Sequence, residues 1–161
     1  MEMAEREARL RAAATRVRAR ATAFGERQTA ADPPTGERWD GGQVLSHIAE
    51  FLPYWIEELE GVVAAGGDGA PFGRTKATPS RLARIEAGRH GSQEDLLREM
   101  DSGVDGAIGF MRGLDSDQWG LEGTHPTRGR MSVSDAIEEF VVKHLDEHAD
   151  QLEVAHSGTT L

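Results

Sequence analysis

The amino-acid sequence predicts an all-α fold, a four-helix bundle with long crossover connections, folded as a single domain over residues 1–161. Apolar residues recur at intervals of three and four in four separate stretches, the spacing that gathers them on one side of a helix. Residues that start or stop helices bound those stretches. No segment alternates apolar and polar residues with the period of two that a half-buried strand needs, so no sheet is expected.

The first stretch runs from Glu2 to about Arg27 and carries Leu10, Ala14, Val17, Ala21 and Phe24 at steps of four and three. Asp32-Pro33-Pro34-Thr35-Gly36 ends it, because proline has no N–H to donate and restrains its predecessor. A loop then leads to Trp39. Asp40 caps a second helix, from about Gly41 to Ala65, with Val44, Ile48, Phe51, Leu52, Trp55, Leu59 and Val62 on its apolar side. Pro53 lies inside that pattern and is expected to kink the helix by removing the bond to the Ala49 carbonyl.

From Gly66 to Gly91 the chain is glycine-rich, with Pro71, Pro79 and one short helical patch, Ser80 to Glu86. A connection of this length inside a compact domain serves as a lid or binding loop, or has a disordered tip. Ser92 with Glu94 and Asp95 opens a third helix, in which Leu97, Met100, Val104, Ala107, Met111 and Leu114 keep the spacing. Gly103, Gly106 and Gly109 either weaken that helix or admit a close neighbour. Residues 115–130 hold no period. Ser132-x-x-Asp135 has the form of a capping box and launches the fourth helix, to about His156.

Composition removes several functions. The 161 residues contain no cysteine, which excludes disulfides, cysteine-type zinc sites and a thiol nucleophile. Eighteen basic and twenty-eight acidic residues leave a net charge of −10, which repels phosphate backbones and anionic lipid; nucleic acid and membrane are not expected partners. No apolar run reaches a membrane-spanning length and no signal segment opens the chain, so a soluble, cytoplasmic protein acting on a small-molecule substrate is expected.

The fourth helix carries the chemistry. Val133, Ile137, Phe140, Val141, His144, His148 and Gln151 fall on one stripe, so two imidazoles one turn apart continue the apolar line. A ring nitrogen left unsatisfied there is costly, and a neutral pair offers lone pairs to one cation; the alternative is a pair of solvated or core histidines. His144-Leu145-Asp146-Glu147-His148 also fits the H-x-x-E-H pattern of inverted zinc proteases, but those need a further downstream carboxylate and only thirteen residues follow His148. His47, at the edge of the second helix's apolar stripe, is the third candidate ligand, with His125 as its rival; His90 and His156 belong near solvent. Glu147 lies about 60° from His144 around the helix, as a base candidate or a flank charge in water. Glu50, Tyr54 and Gln151 are the other polar groups near an ion, Tyr54 standing seven residues from His47 and therefore on one helical face. Glu147, Tyr54 and Glu50 are thus the candidate catalytic residues.

Trp39 followed by Gly42-Gln43-Val44-Leu45-Ser46-His47-Ile48-Ala49-Glu50, then Thr124-His125-Pro126-Thr127-Arg128-Gly129-Arg130-Met131-Ser132, then Val142-Lys143-His144-Leu145-Asp146-Glu147-His148-Ala149-Asp150-Gln151-Leu152, resembles the DinB-like four-helix family, YfiT-type proteins included. It is similar as well to the N-terminal domain of thiol-dependent maleylpyruvate isomerases. The resemblance implies metal ligands at His47, His144 and His148, and a homodimer. Three imidazoles on one face of a divalent ion leave its other positions open, and all-nitrogen ligation suits zinc or nickel. Such an ion activates water or a low-molecular-weight thiol cofactor, which makes a metal-dependent hydrolase or thiol S-transferase the expected function. The alternative is a non-catalytic, stress-related helical bundle that binds a small ligand or partner and keeps a structural or vestigial metal site.

Overall fold

The computed structural model describes residues 2–24 and 38–157. The expected Asp32 to Gly36 loop and the side chains of Phe24 and His156 lie outside the described part. Within it the chain is mostly helical, with a small sheet. Helix α1 spans Met3–Phe24, α2 Gly41–Ala64, α3 Pro79–Gly88 and α4 Gln93–Gly113. The last helix begins as α5, Val133–Ile137, widens into a π-helical turn over Glu138–Val142 and continues as α6, Lys143–Ser157. Among the described residues no helix is long and apolar enough to cross a membrane.

Local chemistry sets the helix starts. Asp40 accepts from the Gln43 N–H at 2.9 Å while the Gln43 side chain takes the Asp40 N–H at 3.0 Å, so two otherwise unpaired donors are satisfied reciprocally. Ser92 and Ser132 accept in the same way from the Asp95 and Asp135 N–H groups. Helix α2 runs through Pro53 to Ala64, with the proline on its exposed side.

Side-chain burial follows the apolar periodicity. Leu10, Ala14, Val17 and Ala21 of α1 are buried, as are Val44, Ile48, Phe51, Leu52, Trp55, Leu59 and Val62 of α2 and Leu97, Met100, Val104, Ala107 and Met111 of α4. Helix α1 packs along α6, and α2 along α4 with α3 against it. Ion pairs also join α1 to the last helix: Arg9 reaches Glu138 at 2.6 Å and Asp146 at 2.7 Å. Each partner is about a third exposed, so such a pair stabilises by no more than about 1 kcal/mol, whereas one buried leucine contributes roughly 2 kcal/mol. Packing, not pairing, holds the helices together.

The sheet corrects the sequence reading. Three short strands, β1 at Ala70–Pro71, β2 at Glu122–His125 and β3 at Gly129–Ser132, pair in the order β1-β2-β3, the first pair parallel and the second antiparallel. Their sequences lack both alternation and β-branched apolar runs. Pairing rests on the ladder and on flanking bonds, such as the Phe72 N–H to the Thr124 carbonyl at 3.1 Å. The glycine-rich connection is thereby tied down at β1 and again at α3, which contains the expected Ser80 to Glu86 patch.

The π-helical turn is a second correction. An unbroken α-helix would centre the apolar line on Val133, Ile137, Val141, His144 and His148. The wider turn, closed by the Lys143 N–H on the Glu138 carbonyl, inserts one residue and shifts the phase. Leu145, Ala149 and Leu152 consequently form the fully buried line of α6, and His144 and His148 take the flank that faces α2.

Of the three glycines in the middle of α4, only Gly103 meets a neighbour closely. A Cβ there would sit 2.7 Å from the Leu52 Cβ of α2, whereas Gly106 and Gly109 have nothing within 4 Å. Gly103→Ala is therefore expected to destabilise by roughly 1–3 kcal/mol through overpacking, and Gly109→Ala to stabilise by roughly 0.5–1 kcal/mol through helix propensity. Urea denaturation of both variants checks the contrast, and equal effects would contradict the close approach of α2 and α4.

Candidate metal centre

His47 comes from the second turn of α2 and is only 1% exposed. His144 and His148 come from the first two turns of α6, His144 half-buried and His148 9% exposed. One ligand nitrogen from each lies within 4.8 Å of the other two, so the three could hold a metal ion.

Two of the rings are held from behind. The His47 Nδ1–H donates to Glu50 Oε1 at 3.0 Å, and the His148 Nδ1–H to Gln151 Oε1 at 2.9 Å. The Phe140 carbonyl, one turn back, favours the protonated form of the His144 ring. With Nδ1 protonated on His47 and His148, the Nε2 of each of these two rings is a lone pair. His47 Nε2 and His144 Nε2 stand 3.2 Å apart, and the buried His148 Nε2 has no hydrogen-bond partner. Two ring nitrogens in contact and a third orphaned beside them could serve together as a donor set for a cation. Phe51 stacks on His144 at 4.2 Å and Trp39 meets His47 edge-on at 5.1 Å, which fixes the ring planes.

Protonation is suppressed at all three. Burial holds His47 and His144 well below the ordinary 6.5, and the neighbouring histidines add to it. Burial takes His148 down to about 4 against the opposing bond to Gln151. All three are neutral near pH 7, the state in which imidazole binds metal.

Above His47 and His144 opens a cavity of about 360 Å³, walled by Trp55, Phe140 and His125 and reached by Arg74, Lys76, Arg81, Arg128, Glu139 and Glu147. Glu50 lies under this floor, its Oε1 shared by His47 and the Arg74 guanidinium. Tyr54 is turned away from the lining, under Arg74 at 3.8 Å, and burial, then Glu58, pushes its hydroxyl up to about 12. It therefore stays protonated at neutral pH. Glu147 stands at the rim with its side chain 60% exposed, 3.9 Å from Lys143 Nζ.

His125, the rival ligand, is otherwise engaged. Its Nδ1 accepts from the Thr127 and Arg128 N–H groups at 3.3 and 3.2 Å, and its Nε2–H donates to the Arg74 carbonyl at 3.2 Å. It stacks on Phe140 at 4.8 Å as part of the wall. Gly73, at φ 90°, passes so close that a Cβ would strike the His125 ring. His90 is exposed. Arg74 is the site residue that sequence reasoning missed; it reaches Glu50 across 24 residues, a separation that no helical period encodes.

The metal-free protein should lose stability in acid. Unfolded histidines take a proton near 6.5 and His148 only near 4, so between those values the unfolded state binds more protons and stability falls as pH falls. His148 alone accounts for roughly 3 kcal/mol over that window. Urea denaturation of chelated protein between pH 7 and 4 measures it, and a flat profile would show the rings to be solvated.

A DinB superfamily model matches residues 9–152. Comparison with curated proteins finds no match. Crystal structures of the mycothiol-dependent maleylpyruvate isomerase and of a His-to-Ala mutant of it are similar in fold, with TM-scores of 0.64 and 0.62. Each is 12% identical in sequence, and the match covers 98% of this chain and 60% of that one. The present chain thus spans about three-fifths of the isomerase. With nine-tenths of its length inside the family match, this chain belongs to the DinB superfamily.

Proposed function

We propose that the protein is a metal-dependent enzyme built on a four-helix bundle, in which His47, His144 and His148 hold one zinc or nickel ion and a low-molecular-weight thiol is the group transferred. The observation that carries this reading is the convergence of three histidine nitrogens, with the Nδ1 atoms of His47 and His148 committed to Glu50 and Gln151 and the His148 Nε2 buried with no partner. The fold shared with a mycothiol-dependent enzyme favours thiol transfer over hydrolysis.

When bound, a divalent ion supplies Lewis acidity that draws the pKa of a thiol or water toward neutrality. The remaining work falls to the chain. Glu50 keeps His47 in the Nδ1–H tautomer, and Arg74 holds the carboxylate in place. Gln151 does the same for His148. Trp55 and Phe140, stacked at 4.2 Å, give the cavity an apolar wall that limits water around the reacting thiol. Glu147, at the rim and in contact with solvent, accepts the thiol proton and passes it to water.

Protein purified without a histidine tag and supplemented with zinc or nickel should retain one ion per chain. His148→Ala should weaken that binding at least about a hundredfold while helical content persists, since losing a ligand costs more than losing its support. An empty site in the parent protein would overturn the proposal. With a thiol and a generic aromatic electrophile, Glu147→Gln should slow transfer roughly a hundredfold without changing metal content; an unchanged rate would remove Glu147 from the reaction.

A further inference from the structure

The cavity over His47 and His144 carries a charge opposite to that of the chain. Among the described residues its lining has four basic side chains, Arg74, Lys76, Arg81 and Arg128, against two acidic ones, Glu139 and Glu147, in a protein of net charge −10. Arg81 and the Arg74 side chain are each only 7% exposed, so their fields reach the cavity with little solvent screening.

Cations beside three ligands for a cation weaken metal binding. That cost is offset when a negatively charged ligand enters between the two. The basic residues also have protein contacts: Arg74 bonds Glu50, Arg81 donates to the Lys76 carbonyl at 2.7 Å, and Arg128 pairs with Glu139 at 2.9 Å. A guanidinium has five N–H donors, so one bonded carbonyl or carboxylate does not exhaust it. The wall opposite, Trp55 and Phe140, takes an organic body rather than an inorganic ion.

We propose that this cavity binds a compact organic ligand whose carboxylate is received by Lys76, Arg81 and Arg128 while its thiol faces the metal site at His47 and His144, and that ligand and metal each tighten the binding of the other. The proposal rests on the metal-site reading above and adds the charge class of the ligand. Reciprocal tightening follows because both binding events share one free energy of coupling.

The test uses cobalt-loaded protein, whose visible absorption reports a thiol entering the metal's coordination, and three small thiols: anionic mercaptopropionate, neutral mercaptoethanol and cationic cysteamine. Mercaptopropionate should half-saturate the spectrum at a concentration at least about tenfold lower than mercaptoethanol, with cysteamine weakest, and the gap should shrink as salt is added. Its thiol is the least acidic of the three, so thiolate supply works against the expected order. Lys76→Glu, at an exposed position, should cut the preference for the anion about threefold or more. Cobalt should also bind more tightly in the presence of mercaptopropionate. Equal affinities, or a preference for cysteamine, with cobalt still bound would overturn the anion site and leave the metal site standing. Failure to bind cobalt would overturn both.

Discussion

A buried imidazole has two nitrogens to satisfy, and in this protein one of them, on His148, finds no partner. The outer nitrogens of His47 and His148 donate to Glu50 and Gln151, the Nε2 atoms of His47 and His144 meet at 3.2 Å, and the His148 Nε2 beside them is buried and alone. An unsatisfied buried polar group costs about 1–3 kcal/mol, so the orphaned His148 Nε2 alone is a sizeable fraction of a domain's total stability of about 5–15 kcal/mol. A fold that maintains such a cluster is arranged for something that binds there. A bound metal ion would give the orphaned His148 nitrogen a partner, and the bonds to Glu50 and Gln151 leave the Nε2 atoms of His47 and His148 as the ones offered.

The surrounding structure positions those rings. The π-helical turn rotates His144 and His148 from the core line of α6 onto the side that meets α2, where Phe51 and Trp39 clasp them. The glycine-rich connection is pinned by the β1-β2 pair and by the bond from His125 to the Arg74 carbonyl, and this delivers the Arg74 side chain to Glu50. Trp55, Phe72, His125 and Phe140 stack into a wall that separates the cavity from the helical core. Rigid supports of this kind suit a site whose ligands must not relax toward one another before the ion arrives.

Much of this was legible in the residues because helical periodicity is local. The apolar faces of the long helices, the caps at Asp40, Ser92 and Ser132, and the inward lean of His47 all follow from spacing and side-chain chemistry within a few positions. The sheet was not legible: its strands are two to four residues long and pair across up to 53 positions, as Ala70 does with Gly123. The π-helical turn left no trace either, since Glu138 to Val142 reads equally well as α-helix. Gly103 and Gly109 look alike in sequence, and only the position of Leu52 distinguishes them. Tyr54 was placed by its seven-residue spacing from His47, but the cation over its ring comes from a segment that spacing cannot locate.

The central claim is that three ring nitrogens share one divalent ion in this fold. X-ray absorption at the metal edge of zinc- or nickel-loaded protein tests it most directly, because the first coordination shell and the outer atoms of imidazole rings are read together. Three nitrogen scatterers at about 2.0–2.1 Å, with outer-shell scattering from imidazole, are expected. A shell of oxygens without imidazole scattering would mean that the ion sits elsewhere on an acidic surface, and would contradict the account.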